Sequence, residues 1–355
     1  MVGADREPLI TTIIPTFRRP RLLRRAIRSV LNQTYRQFRV CIYDNASGDE
    51  TPWVVGEFAK SDPRVQYHCR AENIGACRNV SDAAGRIDTP LFSFLSDDDV
   101  LLPDFYNTAL AGFEKFPEAM MSVTASIQIT ERGKVSSIPI LNWQPGLYRP
   151  PDGMLHMVRN GHPEWTSVLF RRELLQELGP PDIAVGGPFD LDFVLRAAAH
   201  FPVAVTLEPG ALFVIHNESA GITGGLEALC PGWYKIICKL EDDETIPRKA
   251  RNQATRWLTR DIKRMLLRSS VALIAAGNWS GANQAISYLE QCCRLTTEPF
   301  MLKLLAKSCR RFPLSRRSLA GLKTAYRRVV GPPVSFQPDQ QLESRFADYA
   351  RCLEL

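Results

Sequence analysis

Leu91-Phe92-Ser93-Phe94-Leu95-Ser96-Asp97-Asp98-Asp99-Val100 decides how the rest of the chain is understood. A run of apolar residues of strand length ends in three consecutive carboxylates. Like charges in a row repel one another unless something positive sits among them. Carboxylates at the carboxyl end of a buried strand suit a hard divalent cation, and such a cation suits a bound diphosphate. The same letters also describe an acidic turn that merely solvates the strand end. The neighbouring segments have to decide between the two.

Working outward toward the N-terminus, Leu9 to Pro15 is a β-branched run closed by proline, the signature of a buried first strand. Thr16 to Pro20 is a turn, and Pro20 suits the first position of a helix. Leu22, Leu23, Ala26, Ile27, Val30 and Leu31 then keep helical spacing. Phe38 to Tyr43 predicts a second strand and Val65 to Cys69 a third, with a helix from Gly75 to Gly85 before the acidic strand. Strands alternating with helices predict an α/β fold with a Rossmann-like, mostly parallel sheet, whose ligands sit at the carboxyl ends of the strands. Those ends carry Pro15, Thr16 and Arg18, then Asp44 and Asn45, then Asp97 to Asp99. Singly, Asp44 reads as a turn residue and Arg18 as a solvated arginine. Jointly they describe a pocket for a nucleotide and its diphosphate.

Four blocks, ITTIIPTFRRP, YDNASGDET, ENIGACRNVSDAAG and LSDDDVLLPDF, together resemble the nucleotide-binding half of a family 2 glycosyltransferase of the GT-A fold. The resemblance covers residues 8 to 220. It implies a nucleotide-diphosphate-sugar donor, with UDP-sugar the expected class, a divalent metal (Mn²⁺ or Mg²⁺) and inversion at the anomeric carbon. It also implies that Asp44 meets the nucleobase and that Arg78 lies near the diphosphate. One position departs from the usual L-D-x-D-D pattern, because Ser96 stands where the first Asp is expected. Which two of Asp97, Asp98 and Asp99 touch ribose and metal is therefore left open, with Asp97 and Asp98 toward the nucleotide and Asp98 and Asp99 toward the metal as the working assignment.

Beyond the acidic strand, Pro103 opens a helix, and Met120 to Thr130 with Val135 to Leu141 predicts a hairpin. Asn142 to Pro151, rich in aromatic residues and proline, predicts a loop that either covers the site or packs as a connector. Trp165 offers either a flat face to an acceptor sugar or a core side chain. Gly186 to Arg196 predicts a helix in which Asp190 caps the N-terminus and Asp192 pairs with Arg196. The resemblance instead implies that Asp190 is the general base, with Asp192 on the acceptor side, although Phe189 replaces the Glu usual in that motif. Val203 to Ile215 returns as a strand ended by His216, which the resemblance implies as a third metal ligand.

The chain of 355 residues is 45% hydrophobic and 23% charged, enough for a full catalytic domain and a smaller one. The boundaries read as 1–225 for the α/β domain, 226–330 for a helical domain and 331–355 for a loosely packed tail. Residues 1–225 carry 22 Lys+Arg and 26 Asp+Glu, whereas residues 248–330 carry 18 against 3. An anionic partner is therefore expected at the C-terminal third, the anionic inner leaflet of a membrane being one such surface. Nucleic acid fits poorly, since aromatic interleaving and a known binding motif are both missing. Nine scattered cysteines without a C-x-x-C pair, no signal-like N-terminus and no long apolar run point to a cytoplasmic protein with reduced thiols. The expected acceptor is a hydroxyl of a glycan, a lipid-linked sugar or a protein. Two rival readings remain in the sequence: a sugar nucleotidyltransferase, for which PTFRRP lacks the Gly-rich loop, and a non-catalytic sugar-binding relative.

Overall fold

The β-branched run Ile10–Thr16 forms β1 in the computed structural model, which describes residues 8–216, 225–293, 297–311 and 346–354. After it come α1 (Pro20–Leu31), β2 (Phe38–Asp44), α2 (Thr51–Ser61), β3 (Val65–Cys69), α3 (Ala76–Ala84) and β4 (Leu91–Phe94). The next segment holds β5 (Val100–Leu101), α4 (Phe105–Lys115), β6 (Met121–Thr130), β7 (Val135–Ser137), β8 (Gly146–Tyr148) and α5 (Asp152–Asn160). It closes with β9 (Val168–Arg171), α6 (Glu173–Leu178), α7 (Phe189–His200) and β10 (Val203–Ile215). These ten strands make one sheet in the order β3-β2-β1-β4-β9-β6-β10-β5, with β7 added to β6 and β8 to β10. The long registers are parallel, joining β1 to β2 and β4, β2 to β3, and β6 to β10. Antiparallel pairings are short and lie around β9 and at the margins.

Helical spacing puts Leu23, Ala26, Ile27 and Val30 of α1 on one buried face against Ile10, Ile14, Val40 and Phe105. Full burial of such aliphatic side chains contributes roughly 1.5–3 kcal/mol each, which fixes α1 on the sheet and with it the loop that precedes it. The parallel register sets Thr16 beside Asp44, and Ile13 beside Phe94, so that the loops after β1, β2 and β4 open at one edge. β10 is held close to α4 at Gly210, where a Cβ would collide with Thr124 and Phe105.

Several expectations need correction. The second hairpin strand stops at Ser137 rather than Leu141, and the expected loop Asn142 to Pro151 contains β8, paired with β10 through Val203 and Tyr148. Trp143 in that segment is fully buried, its Nε1 donating to the Gly161 carbonyl at 3.0 Å, so it is a packed connector. Pro231 and Gly232, residues that ordinarily end a helix, lie inside α8 (Gly225–Asp242). Burial of Cys230, Ile236 and Ile237 holds that helix together despite the hydrogen bond that Pro231 cannot make.

The chain divides into two compact units, Met1–Thr223 with Gln337–Leu355, and Gly224–Phe336. In the second unit α8 is followed by α9 (Arg248–Ala276), α10 (Trp279–Cys293) and α11 (Thr297–Arg311), which share a core of Leu266, Ile274, Ile286 and Leu289. Near the C-terminus Ala347–Glu354 forms a 3₁₀ helix belonging to the first unit, with Phe346 just before it buried and Ala350 beside Gly133. Arg316, Arg317, Arg327, Arg328 and the tail before residue 346 lie outside the described residues. Among the described residues, no helix is long and apolar enough to cross a membrane.

Candidate active site

Thr16 ends β1 with its hydroxyl donating to Asp97 Oδ2 at 2.7 Å, which ties the first strand to the acidic stretch. Pro15 is half-buried just before it. The turn that follows bends through Arg18 at φ 57°, and the turn after β2 bends through Ala46 at φ 61°. Left-handed backbone at residues other than glycine costs about 1 kcal/mol or more and survives where surroundings enforce it. The enforcing contacts join the two turns. Arg18 N donates to Ser47 Oγ at 2.9 Å, and Arg18 Nε donates to the Ser47 carbonyl at 3.1 Å.

Asp44, expected at a nucleobase, is fully buried. Its Oδ1 accepts from Ser47 N at 2.9 Å and Ser47 Oγ at 2.6 Å, and its Oδ2 accepts from Tyr67 OH at 2.6 Å. That carboxylate holds the turn. Asn45 is likewise buried, donating to Asn73 Oδ1 at 2.8 Å and accepting from Ile74 N at 2.9 Å. Arg78, by contrast, is exposed in the first turn of α3.

The three aspartates do three different things. Asp97 is 6% exposed beside Asp98, and burial, followed by the Asp98 charge, pushes its carboxyl up to about 6. Asp98 Oδ2 is the convergence point, 2.9 Å from Arg19 Nη1 and 2.9 Å from His216 Nε2. Arg19 Nη1 also reaches Asp97 Oδ1 at 3.2 Å, and Arg25 donates to the Asp98 carbonyl at 2.5 Å. Asp99 faces inward. Its Oδ2 accepts from Thr166 Oγ1 at 2.7 Å and its Oδ1 from Val214 N at 2.9 Å, while burial raises its carboxyl well above the ordinary value.

Asp99 thus ties β10 to the turn Trp165–Ser167. Among the described residues, no group of three His, Cys, Asp or Glu side chains is arranged to hold a metal ion. The donor set that does converge, Asp98 and His216, still fits a divalent cation. Such a cation on a diphosphate takes one or two protein ligands and completes its shell with phosphate oxygens and water.

Trp165 is buried, its ring stacked on Phe94 at 4.5 Å and set edge-on to Phe189 at 5.3 Å. One ring face is therefore taken by β4, and the core alternative is what the packing realises. Asp192 is also buried, its Oδ2 accepting from Arg196 Nε at 2.9 Å, which makes it the i,i+4 partner rather than an open acceptor-side carboxylate. Asp190 differs from both. It lies one residue inside α7, makes no side-chain N-cap bond and accepts from Leu191 N at 2.8 Å. Burial raises its carboxyl, with the nearby His162 opposing.

Sequence reasoning missed Arg19, Tyr67, His162, Glu164 and Thr166. Arg19 was hidden by its neighbour Arg18, and only the left-handed turn decides which of the two guanidinium groups reaches the aspartates. Glu164 receives Gln128 Nε2 at 2.8 Å, and its carboxyl is raised by burial, while its neighbours His162 and Asp190 act in opposite directions. Because Trp165 touches Phe189 and Thr166 bonds Asp99, this one turn couples the start of α7 to the acidic cluster.

The family model described as glycosyl transferase family 2 matches residues 11–179. A Campylobacter jejuni protein, GalNAc(5)-diNAcBac-PP-undecaprenol beta-1,3-glucosyltransferase, is 30% identical over 130 residues, which is 36% of this chain and 41% of that protein. The matched stretch is thus well short of two thirds of that relative. The structure of S. aureus TarS 1-349 in complex with UDP-GlcNAc superposes with a TM-score of 0.61 at 13% identity, covering 90% of this chain and 91% of that TarS fragment. The mannosyltransferase PcManGT from Pyrobaculum calidifontis, in complex with GDP-Man and Mn²⁺, gives a TM-score of 0.52 at 15% identity, covering 90% and 85%. At these identities the two structures speak for the fold.

Proposed function

We propose that this chain, which belongs to glycosyl transferase family 2, moves a sugar from a UDP-sugar to an acceptor hydroxyl of a glycan or lipid-linked glycan, with inversion at the anomeric carbon. The observation that carries the reading is a division of labour among carboxylates. Asp97 and Asp98 gather with Thr16 and Arg19 at the sheet edge, while Asp190 stands apart with a raised carboxyl that accepts from backbone N–H groups at the start of α7. A group with raised proton affinity is matched to general base work near neutral pH.

The nucleotide lies over the loops after β1 and β2. Arg19, together with the exposed Arg18 and Arg78, provides charge-assisted contacts to the diphosphate. Asp190 accepts the proton of the acceptor hydroxyl as that oxygen bonds to the anomeric carbon. The bond from the same carbon to the diphosphate breaks on the opposite face, and the nucleoside diphosphate leaves with the electron pair. Asp98 and His216 are the residues that would hold a divalent cation, and the imidazole favours Mn²⁺ over Mg²⁺. When bound, the cation supplies charge neutralisation for the departing diphosphate.

The test is release of UDP from a panel of UDP-sugars in the presence of Mn²⁺, Mg²⁺ or a chelator. Metal-dependent release with at least one donor supports the reading. Donor binding without release from any of them would favour the non-catalytic alternative.

A further inference from the structure

Helix α11 has two unlike sides. Pro299, Leu302, Ala306 and Cys309 are buried, the last three in the core shared with Leu266, Ile286 and Leu289. On the other side Phe300, Met301 and Leu304 are 60%, 59% and 48% exposed. They are three of the six large hydrophobic residues that are exposed among the described residues, and they fall within five positions of one helix. Single exposed apolar residues are ordinary, but a cluster marks an interaction surface. Phe300 and Leu304, four apart, and Met301 and Leu304, three apart, are neighbours on the helix surface.

The charges around this patch have one dominant sign. Lys303, Lys307, Arg310 and Arg311 are exposed on the same helix, which carries a single acidic residue, Glu298, tied to Lys263 at 2.6 Å. Lys303 is paired with Glu290 at 2.6 Å. The excess extends beyond the helix, since residues 248–330 hold 18 basic and 3 acidic residues. A second copy docking face to face would bring these cations together, which is unfavourable. A surface that is both apolar beneath and anionic above satisfies the two properties at once, and that is a bilayer with acidic headgroups.

We propose that α11 lies flat on an anionic lipid surface. Phe300, Met301 and Leu304 enter the boundary between headgroups and acyl chains, and Lys307 and Arg310 meet lipid phosphates. The attachment is interfacial, in keeping with the lack of a spanning helix among the described residues. It does not depend on the transferase chemistry, so either proposal can fail alone.

The experiment is sedimentation of the full chain with vesicles of phosphatidylglycerol and phosphatidylcholine, and with phosphatidylcholine alone, at low and high salt. Three forms are compared: wild type, the triple variant F300S/M301S/L304S, and K307E/R310E. All five positions are exposed, and unchanged thermal transitions will verify that the variants fold. The expected result is binding to the anionic vesicles that weakens at high salt and falls at least tenfold in each variant. Absence of binding to anionic vesicles, or undiminished binding by the triple variant, would overturn the proposal. So would a drop in oligomeric mass of the triple variant by light scattering without any vesicle binding, which would make the face a self-contact.

Discussion

Asp97→Asn is expected to stabilise the fold at neutral pH and to leave it nearly unchanged in acid. The Asp97 carboxyl is buried beneath Thr16 and Arg19 and next to Asp98, and it rises from an ordinary 3.8 to about 6. The folded chain therefore holds this proton more tightly than the unfolded chain does. Below about pH 4 both states are protonated and no penalty exists. Between 3.8 and 6 stability falls as pH rises, and above 6 the penalty is complete. A rise of about two pH units at 1.36 kcal/mol each corresponds to about 3 kcal/mol. Asparagine keeps the shape and can still accept from Thr16, but it carries no charge to repel Asp98. Urea unfolding of wild type and variant at pH 4, 5, 6 and 7.5 should show a stability gap that opens with pH toward roughly 3 kcal/mol in favour of the variant. Mn²⁺ with UDP should narrow that gap by stabilising the wild type, through mass action on the folded state. A variant less stable than wild type at pH 7.5, or a gap independent of pH, would refute the reasoning. The expected trade of stability for a charged binding edge is common at functional sites.

Asp190→Asn should lower turnover by roughly 10²-fold or more while donor affinity measured by calorimetry stays within error, since the lost function is proton acceptance. His162→Gln removes the imidazole whose electrostatic influence holds the Asp190 carboxyl down, so the acid limb of the kcat/KM profile should move to higher pH. Thr166→Val leaves Asp99 Oδ2 without its hydroxyl donor and should cost about 1–3 kcal/mol in thermal unfolding, with little direct effect on donor binding. Asp98→Asn should weaken Mn²⁺-dependent UDP binding by calorimetry, because a neutral amide is a poor ligand for a hard cation. Asp99→Asn should affect stability more than metal binding.

Local signals carried the strand–helix alternation of the first half, because short parallel strands there are continuous apolar runs ending in turn formers. They failed where tertiary pairing overrode composition. Gly146–Tyr148 reads as part of a loop until β10 supplies a partner, and Pro231 reads as a helix stop until Cys230 and Ile237 are seen in a core. The acidic cluster was visible as a cluster, but its internal roles were not. Those depend on which oxygen meets Thr166 or Val214, groups 67 and 115 residues away from Asp99. Trp165 and Asp192 illustrate the same limit, since stacking on Phe94 and pairing with Arg196 are properties of packing. Arg19 became distinguishable from Arg18 only through the backbone turn between them and Thr16.

The most direct test of the account is the anomeric configuration of the product, read by proton NMR from a transfer reaction with an α-linked UDP-sugar, run in parallel for wild type and Asp190→Asn. The account predicts a β-linked product from wild type and at least 10²-fold less of it from the variant. An α-linked product, or a β-linked product formed equally well without Asp190, would contradict it.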